Sequence, residues 1–111
     1  MVESIAAPTP LDSIFGSLAD PVRRDILTRV ARRPLSVSEL AEPYEMSLAA
    51  VSKHLKVLER SGLIAKRRSG KQQIVSPVEG SLDAAIDQLE TYKQHFVQRI
   101  DSLAEYLAKE Q

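Results

Sequence analysis

Between Ser47 and Gln72 seven side chains are cationic (Lys53, Lys56, Arg60, Lys66, Arg67, Arg68 and Lys71) and one, Glu59, is acidic, so this stretch carries +6. Five Lys/Arg against seven Asp/Glu precede it and three against seven follow, which is how the chain reaches a formal net charge of zero. A basic block between acidic flanks is an electrostatic footprint for an anionic partner, and its chemistry is recognition of phosphates and base edges. On a helical wheel Leu48, Val51, Leu55 and Leu58 fall within one arc of about 80°, with Leu48 at its edge. Ala49, Ser52, Lys53, Lys56 and Arg60 lie opposite. Small residues at the start of that outer face permit close approach to a major groove. Ser52 and Lys53 then reach base edges or phosphates, and Lys56 and Arg60 sit over the backbone. Ser47, as the cap, precedes free helical amides that suit a phosphate. His54 falls between the two arcs, placed to pack or to touch the DNA backbone. Arg67, Arg68, Lys71 and Gln72 surround a tight turn and suit phosphates or an adjacent minor groove.

Other chemistries have little material. The 111 residues include no cysteine, which removes disulfides, thiolate ligands and cysteine nucleophiles, and only two histidines, His54 and His95. No paired carboxylates, glycine-rich phosphate loop or Ser/His arrangement appears, so an enzyme is not expected. Hydrophobic residues at 43% and charged residues at 27% match a globular protein of one domain rather than a disordered or fibrous chain. No apolar run approaches the roughly 20 residues that span a bilayer, and Met1 to Pro10 lacks a basic start and apolar stretch, so a cytoplasmic location is expected.

The elements that position the basic residues are signalled locally. Residues 1–10 read as a loose, flexible arm with two prolines. Leu11, Ile14, Phe15 and Leu18 follow the spacing of a short amphipathic helix. Asp20-Pro21 caps and opens a second helix with the apolar stripe Val22, Ile26, Leu27 and Val30, closed by Pro34. Ser36-Val37-Ser38-Glu39 has the form of a capping box, opening a helix that Pro43 keeps short. After a four-residue connection, Ser47 caps a fourth helix running to Ser61, with Gly62 placed for a left-handed stop. Two helices joined by a tight link form a helix-turn-helix. Leu63 to Arg68 and Gln72 to Ser76 read as a β-hairpin turning at Ser69-Gly70, which makes the unit a winged helix.

The last segment, from about Ser81 to Lys109, reads as one long helix. Leu82, Ile86, Leu89, Lys93, Phe96, Ile100, Leu103 and Leu107 recur at alternating spacings of four and three, a heptad seam with Lys93 as its one polar member. At 1.5 Å per residue such a helix extends about 43 Å, more than a domain of this size covers by itself, so a partner is expected.

Three stretches resemble the ArsR family of bacterial winged-helix repressors. They are Leu18-Ala19-Asp20-Pro21-Val22-Arg23-Arg24-Asp25-Ile26-Leu27, the run from Ser47 to Leu58, and Gly62-Leu63-Ile64. The resemblance runs from about Leu11 to Val78. It implies a homodimer built on the first and last helices, bound to an inverted repeat in its own or a neighbouring promoter, with recognition-helix contacts at Leu48, Ala49, Ser52 and Lys53. The thiolate sensors of that family carry cysteines on the helix matching residues 36–42 or near the chain ends, and here there are none. Its other common metal site, on the last helix, pairs Asp-x-His with His-x-x-His or His-x-x-Glu. Asp87-Gln88-Leu89 lacks the histidine, and His95-Phe96-Val97-Gln98 lacks the second partner. Neither a metal nor another cofactor is therefore expected.

The expectation is a mainly α protein with a small two-stranded β-hairpin. Residues 11–78 form the winged helix-turn-helix and residues 79–111 a long dimerisation helix of the same domain. The expected partners are double-stranded DNA and a second copy, meeting through Leu11, Ile14, Phe15 and the seam residues Leu82, Ile86, Leu89, Phe96, Ile100, Leu103 and Leu107. Regulation by protein abundance, autorepression, a partner protein or an apolar effector stays open. The alternative is a winged helix that docks proteins without binding DNA.

Overall fold

The computed structural model describes residues 10–110, and the expected arm at residues 1–9 lies outside them. Pro10, placed at the end of that arm from sequence, instead opens the first helix, α1 (Pro10–Leu18). Helix α2 (Pro21–Arg32) begins where Asp20 accepts a hydrogen bond from the Arg23 amide at 3.0 Å, with Pro21 at the position that has no amide to satisfy. The Ser36 capping box is complete. Its hydroxyl accepts from the Glu39 amide, the Glu39 carboxylate accepts from the Ser36 amide, and α3 (Val37–Ala41) follows. Helix α4 (Leu48–Arg60) is capped by Ser47, which accepts from Ala50, and ends at Gly62 with φ of 79°.

The sheet departs from the expected two strands. A two-residue strand β1 (Leu35–Ser36) precedes α3 and pairs with the return strand of the wing, giving the antiparallel order β1-β3-β2. Strands β2 (Ile64–Ser69) and β3 (Gln72–Pro77) pair with Ser69 opposite Gln72. The turn is therefore Gly70-Lys71, one residue beyond the expected tip. Gly70 takes φ of 63° at its first position, as a type II′ turn requires. This shift puts the Lys71 side chain at the tip itself.

Ile26, Val30, Leu40, Val51, Leu55, Leu58, Ile64 and Val75 form the fully buried centre of one core drawn from α2, α3, α4 and the sheet. Helix α5 (Asp83–Lys109) starts two residues later than expected, with Leu82 as its cap, and only Ala85 along it is buried. It leaves the core and runs on alone, so the molecule measures 69 × 34 × 26 Å. Its radius of gyration of 19.5 Å compares with about 13 Å for a globular chain of this length.

Candidate nucleic-acid interface

Two arginines fasten the helices that present the basic face. The Arg23 Nε donates to the Ser17 carbonyl at 2.9 Å and Nη2 to the Gly16 carbonyl at 3.0 Å, satisfying the exposed end of α1. Its Nη1 meets His54 Nδ1 at 3.3 Å, tying α1 and α2 to α4. Arg29 does the same for α3: Nη1 donates to Leu40 O and Nη2 to Glu39 O, both at 2.9 Å, with the guanidinium over the Tyr44 ring at 5.5 Å. The Tyr44 hydroxyl in turn donates to Asp25. At the far end of α4, the buried Ser17 hydroxyl donates to Ser61 at 2.9 Å, and Ser61 donates to the Leu58 carbonyl.

On this scaffold Ala49, Lys53, Lys56 and Arg60 are exposed on the outer face of α4, as the wheel predicts, and Ser52 is half-buried beside them. Arg67, Arg68, Lys71 and Gln72 are exposed on the wing. Residues alternate faces along β2, so Arg68 shares the side of Ile64 and Lys66, while Arg67 points the other way. Lys66 is half-buried and held at 3.6 Å by Glu59, an ion pair that fixes the wing to α4 and accounts for the one acid in the basic block. Between α4, the start of α3 and the wing lies an open groove of about 390 Å³, bordered by Ser38, Leu48, Lys56, Lys71, Gln72 and Gln73. Ser38 and Gln73 were not singled out from sequence, because only the tertiary fold brings them to this edge.

Leu48 departs from its place on the wheel, whereas His54 keeps the intermediate position the wheel gave it. Leu48, placed at the edge of the buried arc, is 56% exposed. As the first residue of α4 its Cα–Cβ bond tilts toward the helix start, and its side chain borders the groove beside Ser38 of α3. His54 is half-buried and turned toward the α1–α2 junction, with Nδ1 facing Arg23 and lying 3.9 Å from Asp20. When Nδ1 accepts from Arg23, the ring proton resides on Nε2. Asp20 is held below the usual carboxylate range, chiefly by the hydrogen bond from the Arg23 amide, which outweighs the opposing effect of desolvation.

The expected dimer face is divided. Ile14 is 7% exposed and packs into the protomer's own core, and Leu11, Phe15 and Leu18 of α1 are half-buried against that core, each keeping part of its surface exposed. Leu82, Ile86, Leu89, Phe96, Ile100, Leu103 and Leu107 are all exposed, Phe96 at 67%. Among the described residues no group of three or more His, Cys, Asp or Glu side chains is placed to hold a metal ion, and no helix is long and apolar enough to cross a membrane. His95 lies exposed midway along α5.

Comparison with known proteins places this geometry. Residues 18–67 match the family model of a helix-turn-helix domain. The HTH-type transcriptional regulator NmtR of Mycobacterium tuberculosis is 33% identical over 89 residues, covering 80% of this chain and 74% of that protein. The regulator Rv2034 of the same organism is 43% identical over 63 residues, and the match spans 57% of this chain but only 59% of Rv2034. A crystal structure of an ArsR family transcriptional regulator superposes with a TM-score of 0.75 at 36% identity, covering 81% of this chain and 93% of that one. The chain belongs to the ArsR family of winged helix-turn-helix, DNA-binding transcriptional regulators.

Proposed function

We propose that this regulator is a homodimeric repressor that occupies an inverted-repeat operator through α4 and the wing of each protomer. The observation that carries the reading is the exposure of the block's charge along α4 and the wing that follows it. Lys53, Lys56 and Arg60 on α4 and Arg67, Arg68 and Lys71 on the wing are all exposed, and Lys66, the remaining cation, is paired with Glu59. In this arrangement α4 enters the major groove, Ala49, Ser52 and Lys53 approach base edges, and the wing follows the phosphate backbone. The bare seam of α5, with Leu11 and Phe15 of α1, supports a two-fold interface between copies. Such a dimer presents its two recognition helices about one helical turn, or 34 Å, apart. Repression follows from occupancy of promoter DNA, and a relative carries the name transcriptional repressor SmtB homolog, from Synechocystis.

The test compares two classes of variant on a duplex selected by the full-length protein. Lys53→Ala is expected to cost about 1–3 kcal/mol per half-site and to relax sequence preference. Arg67→Ala and Arg68→Ala are expected to weaken binding to all sequences alike and to flatten its salt dependence. Two chains per inverted-repeat duplex is the expected stoichiometry. Equal, salt-independent losses in both classes would favour the alternative, a winged helix that docks proteins.

A further inference from the structure

Among the described residues Leu48 is the most exposed large apolar side chain outside α5, and it lies within the stretch from Ser47 to Gln72 that carries +6. The only other large apolar residue exposed between Ser47 and Gln72 is Val57, at 37%, halfway round the helix from Leu48. The remainder of α4's apolar face, Val51, Leu55 and Leu58, is completely buried, so Leu48 does not belong to the core. It opens the helix directly after the Ser47 cap, and Ser52 and Lys56 follow it one and two turns on, along the same border of the groove beside the wing. Ala49, exposed next to it, adds a second methyl to that leading edge.

The first turn of a recognition helix is the part that reaches base edges, and the major-groove edge of DNA presents one apolar group, the 5-methyl of thymine. A protein partner large enough to cover Leu48 would also have to meet Lys56 and Lys71 on the flanks of the groove. Duplex DNA supplies phosphates for the lysines and a methyl for the leucine together. We infer that Leu48, assisted by Ala49, is a specificity-determining residue that selects a thymine in each half-site through its 5-methyl group. The inference rests on the operator-binding reading above and adds the identity of a base to it.

The experiment removes the methyl from the DNA and the side chain from the protein independently. A duplex is selected from a random pool by the full-length chain, and each thymine of a half-site is replaced in turn by deoxyuridine, which keeps the base pair and deletes only the methyl. Transfer of one methyl group out of water is worth about fourfold in a binding constant. One thymine position, or two adjacent ones, is expected to lose about fourfold in wild-type affinity on replacement. Leu48→Ala, which changes an exposed side chain and leaves the core intact, is expected to weaken the unmodified duplex by a similar factor and to become indifferent to deoxyuridine at that position. If deoxyuridine has no effect anywhere, or the same effect on Leu48→Ala as on wild type, the inference fails while operator binding stands. If wild-type protein selects no duplex at all, both fail.

Discussion

Replacing Arg23 with methionine keeps the apolar stem of the side chain and deletes all three of its guanidinium contacts. Two of these, to Ser17 O and His54 Nδ1, are half-buried, and the third, to Gly16 O, is exposed. Hydrogen bonds from a charged donor contribute about 1.5–3 kcal/mol each when shielded and less when water can replace them, so the set is worth about 2–3 kcal/mol after discounting for exposure. The loss falls on α1, a helix of nine residues that is too short to hold itself together in isolation. With a urea slope of about 2 kcal/mol/M, the unfolding midpoint is expected to fall by about 1 M, measured by circular dichroism at one fixed protein concentration. Arg23→Lys is expected to recover little, because an ammonium cannot address two carbonyls and an imidazole in a plane. A midpoint within about 0.2 M of wild type for Arg23→Met would refute the view that this side chain fastens α1 and α2 to the recognition helix.

Leu103→Asp is expected to yield a folded monomer by sedimentation with undiminished helix content, since Leu103 is 53% exposed within the protomer; a wild-type monomer at micromolar concentration, or a dimeric variant, would contradict the α5 interface. Backbone amides hold Asp20 and Glu39 below the ordinary carboxylate range, so their contribution to stability is present above about pH 4 and is lost as pH falls through their folded values. Burial, then the hydrogen bond to Asp25, pushes Tyr44 up, so its contribution is present below about pH 10 and is lost as pH rises further. A urea midpoint recorded against pH should therefore decline at both ends, and an acid limb left unchanged by Asp20→Asn with Glu39→Gln would overturn the assignment. Zinc, nickel, cobalt and arsenite are expected to leave the melting temperature unmoved. A ligand at 100 times its dissociation constant would add about 2.7 kcal/mol, and a saturable shift abolished by His95→Ala would contradict this.

The features legible in the sequence are those whose chemistry is local. Asp20-Pro21, the Ser36–Glu39 box and the Ser47 cap act within three residues, and each stands where the sequence put it. The heptad seam of α5 was equally legible because a helix that leaves the core keeps its pattern unmasked. Features that depend on distant partners were not. Strand β1 is two residues long and exists only because Val75 and Ile74 of the wing pair with it. The Arg23 and Arg29 clamps join residues 6 to 31 positions apart, and nothing in their immediate sequence marks them. A wheel treats a helix as uniformly covered along its length, so it cannot tell that Leu48 at the start of α4 is 56% exposed while Ile14 is 7% exposed.

The central claim, that the α4 and wing cations of two protomers grip the phosphate backbone of one duplex, is tested most directly by the salt dependence of binding. With three or four such contacts from each protomer, the logarithm of the binding constant is expected to fall against the logarithm of salt concentration with a slope of about −5 to −7. Replacing Lys71, at the wing tip, with alanine removes one contact from each protomer and should flatten that slope by about two. A slope near zero, or one that Lys71→Ala leaves unchanged, would contradict the account.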